Sequence, residues 1–253
     1  MSSFLLAFSF LTIIPAYGSR VAGEKDMANS LYFYPLVGLL IGGFLALMAY
    51  ASDVLSLGLG GDALIVVIWI ILTGGLHMDG VMDSADGLFS GRDRERKLEI
   101  LKDSRVGAMG VIALGAVLLL KFSFLVSLPF EHKLWALFLA PAVGRTAMVY
   151  SVLYFPYARS KPGLGKCFGE NVGRKKFYGA AAITLVAAFM VAGSTGVTLV
   201  LTSLLIAAII AKWFAWILGG QTGDTYGALC EVLETIFLIL IVIVIGVAGF
   251  YGS

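Results

Sequence analysis

Long uninterrupted apolar segments constrain the fold of this chain more than any other feature. Several runs of about 20 residues recur, each long enough to cross a hydrocarbon layer of ~30 Å. Charged residues make up only 13% of the 253 residues, against roughly 25% in a soluble globular domain. A transmembrane β-barrel would instead show short alternating segments. The pattern predicts an all-α, polytopic helical integral membrane protein with seven transmembrane helices, at about 31–51, 63–82, 106–128, 133–154, 177–194, 197–218 and 235–251.

The apolar segment 3–16 is too short to be predicted as a span. No basic region precedes it and no small-residue cleavage site is clear, so a signal peptide is disfavoured. We expect an interfacial or re-entrant segment that ends at Pro15, and a single membrane-embedded catalytic domain over 1–253. The two cysteines, Cys167 and Cys230, have no metal-ligand spacing, which supports neither a disulfide framework nor a zinc site.

Basic residues are concentrated in two loops, 83–105 and 155–176, whereas the links 52–62 and 129–132 contain none. Because Lys and Arg are enriched in cytoplasmic loops, both basic loops are predicted to face the cytoplasm. Counting the predicted spans brings residues 219–234 to the same side. All motif-bearing loops are therefore expected on the cytoplasmic face of the cytoplasmic (inner) membrane.

Three aspartates follow one another at helical spacing at the end of an apolar run. Asp79, Asp83 and Asp86 are at positions i, i+4 and i+7, so a helix would carry all three on one face. Carboxylates at this spacing repel one another and resist removal from water. A divalent cation that prefers oxygen ligands, Mg²⁺ or Mn²⁺, is the usual compensation. The pattern predicts metal chemistry on a phosphate-bearing substrate, with a solvated helix end as the alternative.

Cations suited to phosphate follow this acidic segment. Lys102 and Arg105 stand one helical turn apart, directly before Gly107, and basic side chains at such a junction favour phosphate binding. Topology alone would explain most of the other basic residues. Arg145 lies within a predicted span, where an arginine is costly and usually paired or functional. His77 adjoins the acids and is predicted to bind substrate or orient an aspartate, with a hydrogen-bonded interfacial histidine as the alternative.

A glycine-rich segment at 219–234 carries a third group of candidates. Asp224 and Glu231 are seven residues apart and Glu234 follows one turn later, so a helix would carry all three on one face. The glycines would allow the backbone to approach a ligand closely. This pattern predicts a third candidate site, and a flexible turn capped by Asp224 at a helix start is the alternative, although both can hold at once.

Several short sequence motifs follow one another along nearly the whole chain. They occupy 10–15, 34–38, 74–80 with Asp83 and Asp86, 98–105 with Gly107, 157–159, 163–165 and 219–224. Together they resemble the cobalamin synthase family, also called adenosylcobinamide-GDP ribazoletransferase. The resemblance implies a late step of vitamin B12 biosynthesis. In that step α-ribazole, or its 5′-phosphate, attacks the β-phosphate of adenosylcobinamide-GDP, GMP leaves, and adenosylcobalamin or its 5′-phosphate forms.

The resemblance also implies a polytopic inner-membrane enzyme that needs Mg²⁺ and acts on small molecules, with no nucleic acid partner. Association into a homo-oligomer or with other cobalamin-pathway enzymes is left open. The expected catalytic residues are Asp79, Asp83 and Asp86, and the expected metal ligands are these three with Asp224 and Glu231. The expected substrate-binding residues are His77, Lys102, Asp103, Ser104, Arg105, Arg145, Thr222 and Gly223.

Two other classes of protein were weighed against this interpretation. A CDP-alcohol phosphotransferase of lipid synthesis also gathers acids around Mg²⁺ on membrane helices. Its pattern expects Ala-Arg shortly after the first Asp-Gly, whereas residues 84–87 read Ser-Ala-Asp-Gly. A cation- or proton-coupled transporter would carry acids near mid-span and an inverted repeat, and neither feature is evident in the sequence.

Overall fold

The described part of the chain is almost entirely α-helical. The computed structural model describes residues 2–18, 22–159 and 173–251. Its helices are α1 (Ser2–Leu11), α2 (Glu24–Ser30), α3 (Tyr34–Val54), α4 (Gly58–Leu72), α5 (Leu76–Leu88), α6 (Arg94–Ile100), α7 (Ala108–Val126), α8 (Phe130–Tyr154), α9 (Lys175–Leu218) and α10 (Gly223–Tyr251). The predicted all-α class is confirmed. Cys167, the phrase 163–165 and the middle of the basic loop 155–176 lie outside the described residues.

The predicted continuous span 63–82 is wrong, because the chain bends sharply within it. Helix α4 ends at Leu72 and α5 begins at Leu76, at an angle of 87° to α4. Gly74 and Gly75 form the break with φ of +63° and +67°. Residues with a Cβ rarely adopt this left-handed region, so the glycine pair allows the turn. Hydropathy alone gave no sign of the bend, since both sides of it are apolar.

Helix α9 contains both predicted spans 177–194 and 197–218. Gly193 interrupts it with non-helical angles, φ 56° and ψ −145°. A Cβ placed on Gly196 would lie 2.5 Å from the carbonyl oxygen of Ala188. In a straight helix residues eight apart are separated by ~12 Å. The chain therefore folds back at Gly193.

The described helices do not confirm the predicted number of seven spans. Five of them are long and apolar enough to cross a membrane when α9 is counted once, and six if the bent pair α4–α5 forms one span. Helix α1 has ten residues and is too short to cross, in keeping with the prediction for 3–16. The described helices thus support a multi-pass membrane protein.

Helix α8 is the centre of the bundle and packs against α3, α9 and α10. Its contact with α3 is made through glycine. A Cβ on Gly38 would lie 2.6 Å from the Cα of Ala142, and one on Gly42 would lie 2.6 Å from the carbonyl oxygen of Leu137. Because glycine has no side chain, the two backbones touch, as small residues commonly allow in membrane helix pairs.

One end of the bundle carries the links between α3 and α4 and between α7 and α8. Lys133, at the start of α8, donates to both carboxylate oxygens of Asp62 on α4, at 2.6 and 2.7 Å. Asp53 and Phe130 line the same cleft. This pairing joins the two links at the end of the bundle where the sequence has few cations.

We expect Gly42→Ala to destabilise the protein because the added methyl group would strike the backbone of α8. Overpacking of this kind costs about 1–3 kcal/mol. The measurement is the thermal unfolding midpoint of the detergent-solubilised protein, followed by circular dichroism. Gly43→Ala is the matched control, since a Cβ there would meet only the side chain of Phe138, at 3.9 Å. Equal midpoints for the two variants would contradict the close α3–α8 contact.

Candidate active site

Three segments that are distant in sequence meet at the other end of the bundle. Arg94 on α6 donates to the carbonyl oxygens of Leu218 at 2.7 Å and Ala158 at 3.4 Å. Gln221 and the segment after α8 exchange two backbone hydrogen bonds, from the Gln221 N–H to Pro156 and from the Ala158 N–H to Gln221, both 2.8 Å. These contacts bring the predicted motif segments together at one end of the protein.

The acids of α5 face the beginning of α10. A Cβ on Gly80 would lie 2.6 Å from the carbonyl oxygen of Asp224, so the two helices touch at this glycine. The half-buried carboxylate of Asp83 consequently lies within electrostatic reach of Asp79, Asp86 and Asp224, with Arg159 as the nearby cation. Neither Asp79 nor Asp83 has a side-chain hydrogen-bond or ion-pair partner among the described residues. Within the described ranges, the site therefore concentrates negative charge beside Arg159.

Asp86 is held differently from the other two acids of α5. Its carboxylate accepts the backbone N–H groups of Gly107 at 2.7 Å and Gly110 at 2.8 Å. These groups belong to the first turn of α7, where backbone N–H groups have no partner within the helix and the helix dipole favours an anion. Asp86 thus joins α5 to the start of α7. Its predicted metal and catalytic roles stay predictions.

Among the described cations, Arg159 contacts this cluster directly, although it was not among the site residues predicted from the sequence. Its guanidinium donates to the Asp224 carboxylate at 2.7 Å and to the carbonyl oxygen of Leu101 at 3.1 Å. Thr222, a predicted substrate-binding residue, also donates to Asp224, at 3.2 Å. Arg159 belongs to the motif 157–159, but it stands in a loop with many other basic residues, so the sequence did not distinguish it from them.

The predicted phosphate-binding loop 102–105 lies at the surface. Arg105 pairs with Asp103 at 2.6 Å, and 87% of the Arg105 side chain is exposed. Hydrogen bonds from Arg105 lower the pKa of the Asp103 carboxyl to about 2. Ser104 is also exposed. Lys102 lines an open cleft together with Arg159, so within this loop it is Lys102 that approaches the acid cluster.

Glu231 and Arg145 belong to a separate ionic network inside the bundle. Lys121 on α7 contacts Glu231 at 2.5 Å and Glu234 at 2.7 Å. Arg145 on α8 pairs with Glu234, and the Lys121 ammonium lies 4.1 Å from the ring centroid of Trp69. All four charged side chains are 2% exposed or less. The predicted roles of Glu231 as a metal ligand and Arg145 in phosphate binding are not tested by these contacts.

His77 lies between the acid cluster and the ionic network. The residue is 2% exposed, and neither ring nitrogen has a hydrogen-bond partner among the described residues. It lines a cavity of about 90 Å³ whose wall also contains Asp79, Gly223 and Asp224. A buried imidazole without a partner is rare, and the predicted role of His77 in substrate binding stays a prediction.

The acid cluster suits a divalent cation by the chemistry of its donors. Asp79, Asp83 and Asp224 would supply hard oxygen ligands of the kind that Mg²⁺ prefers, and among the described residues Arg159 offsets part of their mutual repulsion. In the described part of the chain, no three His, Cys, Asp or Glu side chains are arranged so that they could hold a metal ion as they stand. Small side-chain movements would be needed to complete such a site.

Fold and site together define a helical membrane protein with a carboxylate cluster at one end of its bundle. A family model described as cobalamin-5-phosphate synthase matches residues 3–242, and the chain belongs to this family. The adenosylcobinamide-GDP ribazoletransferase of Desulforamulus reducens is 49% identical to it over 95% of this chain and 96% of that protein. The proteins of that name from Roseiflexus sp. and Pseudomonas savastanoi are 42% and 39% identical, over 92% and 94% of this chain and 86% and 98% of their own lengths. No solved structure matches this chain.

We expect Lys121→Met to destabilise the protein strongly, because Glu231 and Glu234 would then share Arg145 as their only cation. Removing one partner of a buried ion pair costs about 3–5 kcal/mol. The thermal unfolding midpoint in detergent would fall by several degrees. Lys212→Met is the matched control, since Lys212 is exposed on α9. A midpoint for Lys121→Met equal to that of this control would refute the ionic network.

Proposed function

We propose that this protein transfers the adenosylcobinamide phosphate group of adenosylcobinamide-GDP to α-ribazole or its 5′-phosphate. The observation that carries the proposal is the carboxylate cluster of Asp79, Asp83 and Asp224 beside Arg159, in a chain of the cobalamin-5-phosphate synthase family. The relatives at 39–49% identity are named for this reaction. They give no support to a CDP-alcohol phosphotransferase or a transporter.

The reaction replaces one bond to phosphorus by another. A hydroxyl oxygen of the acceptor forms a new P–O bond with the β-phosphorus of the donor. The anhydride bond between the two phosphates breaks, and its electron pair leaves with GMP. The hydroxyl proton passes to a carboxylate. Such a reaction needs positioning and charge neutralisation more than covalent catalysis.

Asp79 and Asp83 are the carboxylates best suited to accept the proton. Asp86 is engaged by two backbone N–H groups of α7, and Asp224 is engaged by Arg159. No such partner occupies Asp79 or Asp83 among the described residues. Asp79 is also exposed to solvent, so an acceptor hydroxyl has access to it.

Mg²⁺ would be held by Asp79, Asp83 and Asp224, and it would neutralise charge on the diphosphate. Arg159 fixes the position of the Asp224 carboxylate and leaves its own Nε without a partner in the described structure. Lys102 supplies a second positive charge from the cleft beside it. His77 would bind a polar group of the acceptor that reaches the small cavity.

We further propose that the acid cluster faces the cytoplasm in the cytoplasmic (inner) membrane. The basic residues of α6 and of its flanking loops lie at the same end of the bundle as the cluster, and cytoplasmic loops are enriched in such residues. Association with a second copy or with other cobalamin-pathway enzymes stays a prediction from the sequence.

Turnover of adenosylcobinamide-GDP and α-ribazole by the purified protein tests the reaction. We expect GMP and the corrinoid product with Mg²⁺, none with EDTA, and a loss of roughly 100-fold or more in kcat for Asp83→Asn, since charge stabilisation of several kcal/mol is removed. Asp53→Asn, an exposed acid at the opposite end of the bundle, is the matched control. A folded, Mg²⁺-loaded protein that forms no product would refute the proposed function.

Cysteine labelling of intact cells tests the orientation. In a background in which Cys167 and Cys230 are replaced by serine, Arg92→Cys should react with a membrane-impermeant maleimide only after the cells are permeabilised. Ser127→Cys, at the exposed link after α7, should react without permeabilisation. The reverse pattern would place the acid cluster outside the cytoplasm.

A further inference from the structure

An open cleft lies beside α6, and Arg159 in its wall contacts Asp224 of the acid cluster. Its volume is about 380 Å³, within the range of about 300–1,000 Å³ found for small-molecule sites. Its walls are formed by Arg94, Glu95, Leu98, Glu99, Lys102, Ala158 and Arg159. By contrast, the cavity at His77 has only about 90 Å³. Of these two spaces, the cleft is the one with room for a nucleotide-sized group.

The three cations of this cleft differ in how many hydrogen bonds they make with the rest of the protein. Arg94 is used by the fold, because it donates to Leu218 and Ala158. Lys102 makes no side-chain hydrogen bond or ion pair with any described residue. One terminal nitrogen of Arg159 donates to both Asp224 and Leu101, while its Nε is buried and without a partner among the described residues. Lys102 and Arg159 therefore each retain donor groups for an anion in the cleft.

The cleft and the cavity are linked through the contact between Arg159 and Asp224. The cavity is lined by Asp224 itself, and the cleft is lined by Arg159, which is bonded to Asp224 at 2.7 Å. A displacement at phosphorus requires the attacking and leaving oxygens to lie roughly in line, on opposite sides of the phosphorus atom. Separate compartments for the leaving nucleotide and the acceptor, joined at this ion pair, suit that requirement.

The remaining walls of the cleft suit a purine base. Leu98 and Ala158 offer apolar surface to a ring face. Glu99 is paired with Arg96 at 2.7 Å, whereas the Glu95 carboxylate has no partner among the described residues. An unpaired carboxylate accepts hydrogen bonds from N–H groups, and guanine carries an amino donor at N2.

We propose that the α6 cleft binds the guanosine monophosphate part of the donor, with its phosphate on Lys102 and Arg159 and its guanine amino group on Glu95. This inference rests on the proposed function and adds to it the place of the leaving nucleotide. The acceptor approaches from the side of His77 and Asp79, and its oxygen forms the new P–O bond as GMP departs into the cleft with the electron pair of the broken anhydride bond.

Binding of GMP to the full-length protein in detergent, with Mg²⁺ and without a corrinoid, tests the phosphate position. We expect Lys102→Gln to raise the Kd for GMP roughly tenfold, since a charge-assisted hydrogen bond is lost. Arg92→Gln is the matched control, because it removes one positive charge from the exposed loop before α6 without touching the cleft. Equal Kd values for the two variants would overturn the proposal.

Comparison of GMP with inosine monophosphate, which lacks the 2-amino group, tests the base position. We expect the wild-type protein to prefer GMP and Glu95→Gln to lose most of this preference. An unchanged preference in Glu95→Gln would overturn the role of Glu95. A wild-type protein that binds GMP in the cleft but makes no product from both substrates would contradict the proposed function alone, so the two failures are distinguishable.

Discussion

The buried ionic network between Lys121, Glu231, Glu234 and Arg145 is the interaction on which the arrangement of the bundle depends. It joins α7, α8 and α10 where no solvent reaches the charges. Two cations and two anions balance, so the desolvation cost of each charge is offset by an opposite one. Helix α10 carries Asp224 at one end and this network further along, which fixes the depth of that carboxylate relative to α7 and α8.

Close backbone contacts then determine how the acids face one another. Gly80 lets α5 touch α10 at Asp224, and Gly110 lets α7 approach Asp86 on α5. The two hydrogen bonds from α7 to Asp86 hold α5 on its other side. Asp79 and Asp83 therefore lie on a helix that is fixed from two directions, and their mutual repulsion is not relieved by a movement of α5. Side-chain rotation, and not a shift of α5, is then what brings these carboxylates onto a ligand.

Much of this arrangement was predictable from the sequence, and the exceptions have physical causes. Apolar runs predicted the helical membrane fold, and the positions of the basic loops predicted that the motif segments meet at one end. Helical spacing correctly predicted that Asp79, Asp83 and Asp86 lie on one helix. It could not predict the contact of Asp86 with the backbone of α7, because that contact joins residues more than 20 positions apart. Glu231 was grouped with Asp224 for the same reason, since spacing does not show that Lys121 comes from another helix. The bend at Gly74 and Gly75 could not be predicted from hydropathy, because hydropathy depends on composition and not on the direction of the chain.

That bend has a consequence for the lipid around the protein. Helix α4 has 15 residues and rises only ~22 Å, less than the hydrocarbon thickness of ~30 Å. At an angle of 87° to each other, α4 and α5 cannot both follow the membrane normal. A span this short is accommodated by local thinning of the bilayer, by snorkelling of flanking residues or by association with other helices. Local membrane thickness is therefore a physical variable for the bent pair that carries the acids, alongside the charges of the site.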